Sequence, residues 1–309
     1  MIGELIQTAY TINQGRIAID NQFSGTANFN TVAQGDITQA IGNHSHAEGS
    51  SSIANADCSH AEGQSTLASG VCSHTEGSAC ICYGICSHAE GSETIVNGNY
   101  SHSEGLTTIS NGDCSHSEGL TTISNGIYSH AEGNQTTANG AHSHAEGYRN
   151  QTYQSGSHVE GQRNSTYGDS AHAEGIFNMA IGDYSHAEGW SAITRGMASH
   201  AEGYHTITNG DSSHVSGQYN TTNANYSEIL GGSGNTTSTS AIGSAVIASS
   251  GITASQPYTL YTNQIILKIT NPPSSGADTK GEVGSIAWDA GSFYWKTALG
   301  WRRVAGSDF

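Results

Sequence analysis

Thirteen histidines, each followed two residues later by a glutamate or, once, by a serine, are the groups in this sequence best equipped for chemistry. They are His46, His60, His74, His88, His102, His116, His130, His144, His158, His172, His186, His200 and His214, and every interval is fourteen residues. Their companions are Glu48, Glu62, Glu76, Glu90, Glu104, Glu118, Glu132, Glu146, Glu160, Glu174, Glu188 and Glu202, with Ser216 in the last place, and a glycine follows each. An imidazole beside a carboxylate can share a proton, so that the titration belongs to the pair rather than to either group. The same two groups can also ligate borderline transition cations.

A catalytic use of the pair is disfavoured by what surrounds it. His-x-Glu is one half of the zinc-deaminase signature, whose other half is Pro-Cys-x-x-Cys. This chain has no Cys-x-x-Cys, and its first proline is Pro257. Thirteen copies also spread the pair along the chain instead of concentrating it in one centre. A non-enzymatic protein is expected, without a cofactor.

The elements that must carry the pairs follow from the period, which is read first because it decides the architecture. A second glycine lies four residues before most of the histidines (Gly42, Gly70, Gly84, Gly98 and onward), with Ala56 and Gln154 as departures. Fourteen residues with two glycine corners leave room for two short strands of about five residues and two tight turns, one coil of a β-solenoid. The unit is too short for a helical hairpin, and its Thr, Ser, Ile and Gly content opposes helix. Thirteen coils stacked at a strand spacing of ~4.8 Å make a rod of about 60 Å.

Alternation within the strand then assigns faces. Ser45, Ala47 and Gly49, and their counterparts one coil on, form a uniformly small inner face; His and Glu form the outer one. On the second strand, small residues such as Thr66 and Ala68 point inward, while an apolar column (Ile53, Leu67, Ile81, Ile95, Ile109, Ile123, then Ile193 and Ile207) points outward. An open surface has little need for one identity at every rung, whereas a packed interface does. The His–Glu strand is therefore expected to face the axis of a homotrimer, with the apolar column buried against the adjacent protomer. Charges at such an axis must be paired or neutralised. Three symmetry-related histidines per layer could hold a transition cation, but proton-sharing pairs without metal are the expectation.

Composition narrows the classes further. The 309 residues include 40 Gly and only 3 Pro, which suits a turn-dense β array better than low-complexity disorder. Nine basic residues stand against 26 acidic ones, with none basic between Arg16 and Arg149, so no groove for nucleic-acid phosphates is expected. The amino-terminal stretch from Met1 to Leu5 lacks the basic start and apolar run of a signal peptide. No apolar run is long enough to span a bilayer, so membrane insertion is not expected. Cys58, Cys72, Cys86 and Cys114 share one repeat position with Tyr100, Tyr128 and Tyr184, which reads as a packing slot rather than a disulfide framework.

Three regions are expected: an amino-terminal attachment segment over residues 1–30, the repeat array over 31–255, and a carboxy-terminal linker and aromatic hairpin cap over 256–309. In the first, 5–10 and 16–19 read as short strands. Thr31-Val32-Ala33-Gln34-Gly35 is a degenerate opening coil with Val in the histidine place. Ser227-Glu228-Ile229-Leu230-Gly231 keeps phase beyond the last histidine, and Ser240-Ala241-Ile242-Gly243 follows slightly out of it. In the third region 258–270 alternates as strand, and 271–276 is a linker.

The fourteen-residue unit resembles the left-handed parallel β-roll of trimeric autotransporter adhesin heads, whose signature is Ser-Val-Ala-Ile-Gly. Ser45-His46-Ala47-Glu48-Gly49 has that frame with His and Glu in the Val and Ile places. In that family those two positions pack between protomers, which implies the axial placement of the ladder here. The stretch from Ala298 to Phe309 lacks barrel alternation, so the membrane-anchor strands of that family are not expected. Its final segment, with Gly284-Ser285-Ile286-Ala287-Trp288-Asp289 and Trp301-Arg302-Arg303-Val304-Ala305, is similar to small terminal modules of bacteriophage tail and virion proteins. Together the two likenesses imply an all-β homotrimeric β-roll in a virion appendage, a phage tail fibre or spike that touches the host. Other virion proteins would be held through the amino-terminal segment. A capsid or tail decoration protein is the alternative and a bacterial surface adhesin the third. Candidate contacts to a host-surface glycan are Tyr148, Arg149, Arg163 and Trp190 in mid-rod and Trp288, Trp295 and Trp301 in the cap.

Overall fold

A computed structural model describes residues 26–27, 31–263, 286–289 and 292–305. The strands expected at 5–10 and 16–19, the linker at 271–276 and most of the alternating stretch 258–270 lie outside the described residues. The chain divides into two compact units at the Tyr261–Thr262 junction.

The first unit is a parallel β-solenoid of fourteen-residue coils. Each regular coil contributes a five-residue strand, such as His116–Leu120, and a two-residue strand, such as Ile123–Ser124. Every strand pairs in parallel with its counterpart one coil before and one coil after, in strict register: His102 opposes His116, which opposes His130. The two strand types thus build two long ladders with a thin core between them. The second strand is shorter than the five residues expected, because left-handed corners take the remaining positions. Ser65, Cys72, Thr121 and Tyr128, for example, have φ between 56° and 58°.

The core consists of the small residues that alternation assigned to it. Ser45, Ala47, Ser52 and Ala54 are buried, and so are their counterparts along the rod. The serine that precedes twelve of the thirteen histidines (Ala171 stands before His172) has a further task. Ser115 Oγ donates to the Gly112 carbonyl at 2.6 Å, and Ser45, Ser129, Ser143, Ser199 and Ser213 repeat the bond to the residue three before them. The hydroxyl satisfies a buried corner carbonyl that the ladder cannot reach. The glycine after each glutamate is not part of the inner face, as alternation had suggested; in the regular coils it is the fourth residue of the long strand, at a positive φ where the chain begins to turn. Gly119 has φ +108°, and a Cβ there would sit 2.2 Å from the Gly133 carbonyl oxygen of the next coil.

In mid-rod the core changes. Asn150, Asn164 and Asn178 replace the threonines found earlier and are fully buried. Each asparagine caps the coil on both sides: Asn164 Nδ2 donates to Glu160 O at 2.5 Å and Gly175 O at 2.7 Å, while its Oδ1 accepts from the Asn178 backbone N–H at 2.7 Å. In two of these coils the long strand contracts to His144–Ala145 and His158–Val159.

At the ends, Val32–Asp36 pairs with His46–Ser50, as the degenerate opening coil predicted. Glu228 occupies the histidine place opposite His214. The next rung, however, is not Ser240–Gly243. Glu228 pairs with Ala245, seventeen residues on, and Ser240-Ala241-Ile242-Gly243 forms the corner ahead of that strand, with Ala241 buried and Gly243 at φ +64°. The inserted residues shift the frame, so a motif-like string lands at a turn. Parallel pairing continues to Leu260–Tyr261.

The second unit contains a three-stranded antiparallel sheet, Ile286–Asp289, Ser292–Thr297 and Gly300–Ala305. Tyr294 and Trp301 are its buried pair.

Candidate functional site

In-register parallel pairing puts the thirteen histidines in one column. Their rings stack face to face with centroids 4.6–4.9 Å apart along the whole rod, for example 4.8 Å between His116 and His130 and 4.9 Å between His200 and His214. The glutamates form a parallel column beside them. Nε2 of His60 lies 3.4 Å from Glu62, that of His46 3.5 Å from Glu48, and those of His102 and His116 each 3.8 Å from Glu104 and Glu118. Toward the carboxy-terminal end the carboxylate reaches one rung onward: His186 lies 3.8 Å from both Glu174 and Glu188, and His200 3.7 Å from Glu188. The side chains are about one-third exposed, so the column lies on the surface of its own coil, as alternation predicted. Nε2 of all thirteen histidines is nevertheless shielded from solvent and makes no hydrogen bond.

Crowding shifts the titration of these groups. Burial, and then the neighbouring rings, hold His88, His130 and His144 below the ordinary imidazole value, against the pull of the nearby glutamates. His116, His172 and His186 are lowered for the same reasons. Glu90 is pushed up to about 7, first by burial and then by the carboxylates of Glu104 and Glu76 one rung away. Glu146 is raised by burial and by its hydrogen bond with Glu160. Stacking like groups at one strand spacing therefore favours the neutral form of these six histidines and of Glu90 and Glu146.

Beside the carboxylates runs a groove of about 600 Å³, lined by Glu146, Glu160, Glu174, Glu188 and Glu202 and floored by the glycines from Gly161 to Gly217. Along the edge of the same coils lies the second set of expected contact residues. Arg149 sits 5.0 Å over the Tyr148 ring and donates from Nε to Gln135 Oε1 at 2.6 Å. Arg163 lies 5.2 Å over Phe177, and Trp190 meets Tyr204 edge-on at 5.5 Å. Trp190 is half exposed. Sequence reasoning singled out Trp190 but missed Tyr204, which meets it, His205 and Tyr219, which pack on Tyr204, and Phe177 beneath Arg163. The visible signal was two consecutive repeat columns, four and five residues after the histidine, turning aromatic together. No family model matches this chain, and no curated protein matches it. The likeness to adhesin heads thus stands on the residues of the repeat.

The other expected contacts are distributed differently. Trp288 lies in the first strand of the terminal sheet and Trp295 in the second, where it is partly buried. Trp301 is buried beside Tyr294, with the Lys296 ammonium 5.4 Å over its ring. The apolar column on the short strands is half-buried and in register from Ile53 through Leu67, Ile81, Ile95 and Ile109 to Ile123. Cys58, Cys72, Cys86 and Cys114 occupy the exposed left-handed corner two residues before the histidine, not a packing slot; Cys80 and Cys82 are buried in the core, and all six are free thiols. Corners accept Cys, Tyr and His alike because the side chain there points to solvent.

Proposed function

We propose that the chain is a non-enzymatic structural and adhesive virion protein: a homotrimer of left-handed β-rolls serving as a phage tail fibre or spike. In the trimer the His–Glu faces of three protomers meet at the axis and the isoleucine column packs on the neighbouring protomer. The carrying observation is a face held constant for thirteen rungs whose side chains remain one-third exposed in the single chain. Nothing inside the coil demands that constancy, since Ser, Ala and Thr fill the core without contribution from His or Glu. A half-buried apolar column six rungs long is likewise too continuous a patch for open solvent.

Adhesion belongs to the variable edge. The Tyr148–Arg149, Arg163–Phe177 and Trp190–Tyr204 contacts present aromatic faces and guanidinium groups beside a carboxylate-lined groove, a surface suited to sugar rings. The ligand is a glycan of the host surface, and the virion is the location. Binding of the full-length protein to host cells or to a glycan array, lost on Trp190→Ala and Tyr148→Ala, is the expected result. Lattice-like occupancy on particles with no cell binding would instead favour the decoration protein.

A further inference from the structure

The ladder leaves one polar atom per rung without an explanation. All thirteen Nε2 atoms are shielded from water, and none has a hydrogen-bond partner. A shielded nitrogen that faces a carboxylate at 3.4–3.8 Å without making a hydrogen bond is poorly satisfied, and the repetition of that cost along the ladder calls for a ligand that both groups can bind. The available ligand set is definite. His60, Glu62 and His74 bring two imidazole nitrogens and a carboxylate oxygen within 4.8 Å of one another, and His116, Glu118 and His130 repeat the arrangement. Two donors ~2.1 Å from one tetrahedral ion lie about 3.4 Å apart. The His–Glu separations of 3.4–3.8 Å begin at that value. The second imidazole, one strand spacing away, reaches the same ion when the two rings tilt out of their stacked planes.

We propose that the ladder is a linear array of binding sites for a borderline divalent transition cation of zinc type, each ion held by two histidines from successive rungs and the glutamate between them. Imidazole nitrogen excludes magnesium and calcium, which take oxygen ligands. Two histidines with one carboxylate leave a fourth position for water. Because neighbouring triads share a histidine, ions occupy alternate gaps, which gives about six per chain for thirteen histidines. Six dications would also offset the charge of the twelve ladder glutamates. The site is complete within one chain, so it stands whether or not the protomers form a trimer.

The test is the metal content of the full-length protein, stripped with chelator, dialysed against Zn²⁺ in the presence of excess Mg²⁺, and measured beside its sedimentation mass. The expected result is about six zinc ions per chain, with Co²⁺ substitution giving the strong visible absorption of a tetrahedral site. Replacing His102, His116, His130 and His144 by Gln should remove about a third of the ions. Three exposed histidines lie off the ladder, His44, His142 and His205, and supply the control. The His44→Gln, His142→Gln, His205→Gln protein, altered only at surface corners, should keep the full count. Fewer than one ion per chain in the parent, or a count that falls with the off-ladder histidines, overturns the proposal.

Discussion

The coils up to His130 and those from His144 to His172 carry the same outer face on different interiors. The early coils have five-residue strands and a threonine core; in the later ones an asparagine ladder fills the core, and at His144 and His158 the strand contracts to two residues. Yet the histidine stack runs through both at the same spacing, 4.8 Å between His116 and His130 and 4.9 Å between His144 and His158. A face that ignores a change in its own core is not dictated by that core. On the reading proposed above, the constraint on His and Glu comes from outside the coil, from the partner chains of the proposed trimer or from the proposed ions. The edge columns vary from rung to rung, from Leu120 and Thr121 to Tyr148 and Arg149, and show no such constancy.

The comparison can be broken most forcefully at the positive-φ glycines, which both regions share. Gly119→Ala forces a Cβ to within 2.2 Å of the Gly133 carbonyl at φ +108° and should cost about 3 kcal/mol or more. Gly231, at φ +76° with nothing near its would-be Cβ, should tolerate alanine at a cost of about 1 kcal/mol. Chemical denaturation of the two variants measures the difference.

The cores themselves should respond unequally. Asn164→Leu strands a backbone donor and two carbonyls and should destabilise by about 3 kcal/mol. Thr122→Val removes a buried hydroxyl that has no partner and should leave the melting temperature unchanged or raised. Equal losses at the two positions would erase the distinction between the regions.

The shared face sets the pH response, best measured with chelator present. His88, His116, His130, His144, His172 and His186 sit below their ordinary 6.5, so the folded state binds fewer protons than the unfolded one. Their contribution is fully present above pH 6.5 and is lost as the pH falls below it, so the melting temperature should decline there. Glu90 acts in the opposite sense: raised from 4.5 to about 7, it contributes stability below pH 4.5 that is lost as the pH rises through 7. Glu90→Gln removes that opposing contribution and should therefore widen the rise in melting temperature from pH 5 to pH 8.

The smallest effect separates corner from core. A thiol reagent should modify Cys58, Cys72, Cys86 and Cys114 in the native protein and reach Cys80 and Cys82 only on unfolding, with little change in stability in the first phase.

The period and the parity of the strand were legible in the sequence because they depend on backbone geometry alone. Fourteen residues close one coil, and alternation decides which side chains enter it, so Ala47 and Thr66 were assignable inward and His46 and Leu67 outward. What escaped reading depends on contacts between coils. The corner at Cys58 and Tyr100 resembles a packing slot because any side chain fits where it points to solvent. Asn164 looks like a surface amide until its bonds to two neighbouring coils are traced. The string Ser240–Gly243 resembles a rung, but the inserted residues between Glu228 and Ala245 move it to a turn.

Equilibrium sedimentation of the full-length protein tests the central claim most directly. A mass three times the 32.0 kDa chain is the predicted result, retained at neutral pH with and without chelator. A single-chain mass would contradict it, leaving the His–Glu face open to water.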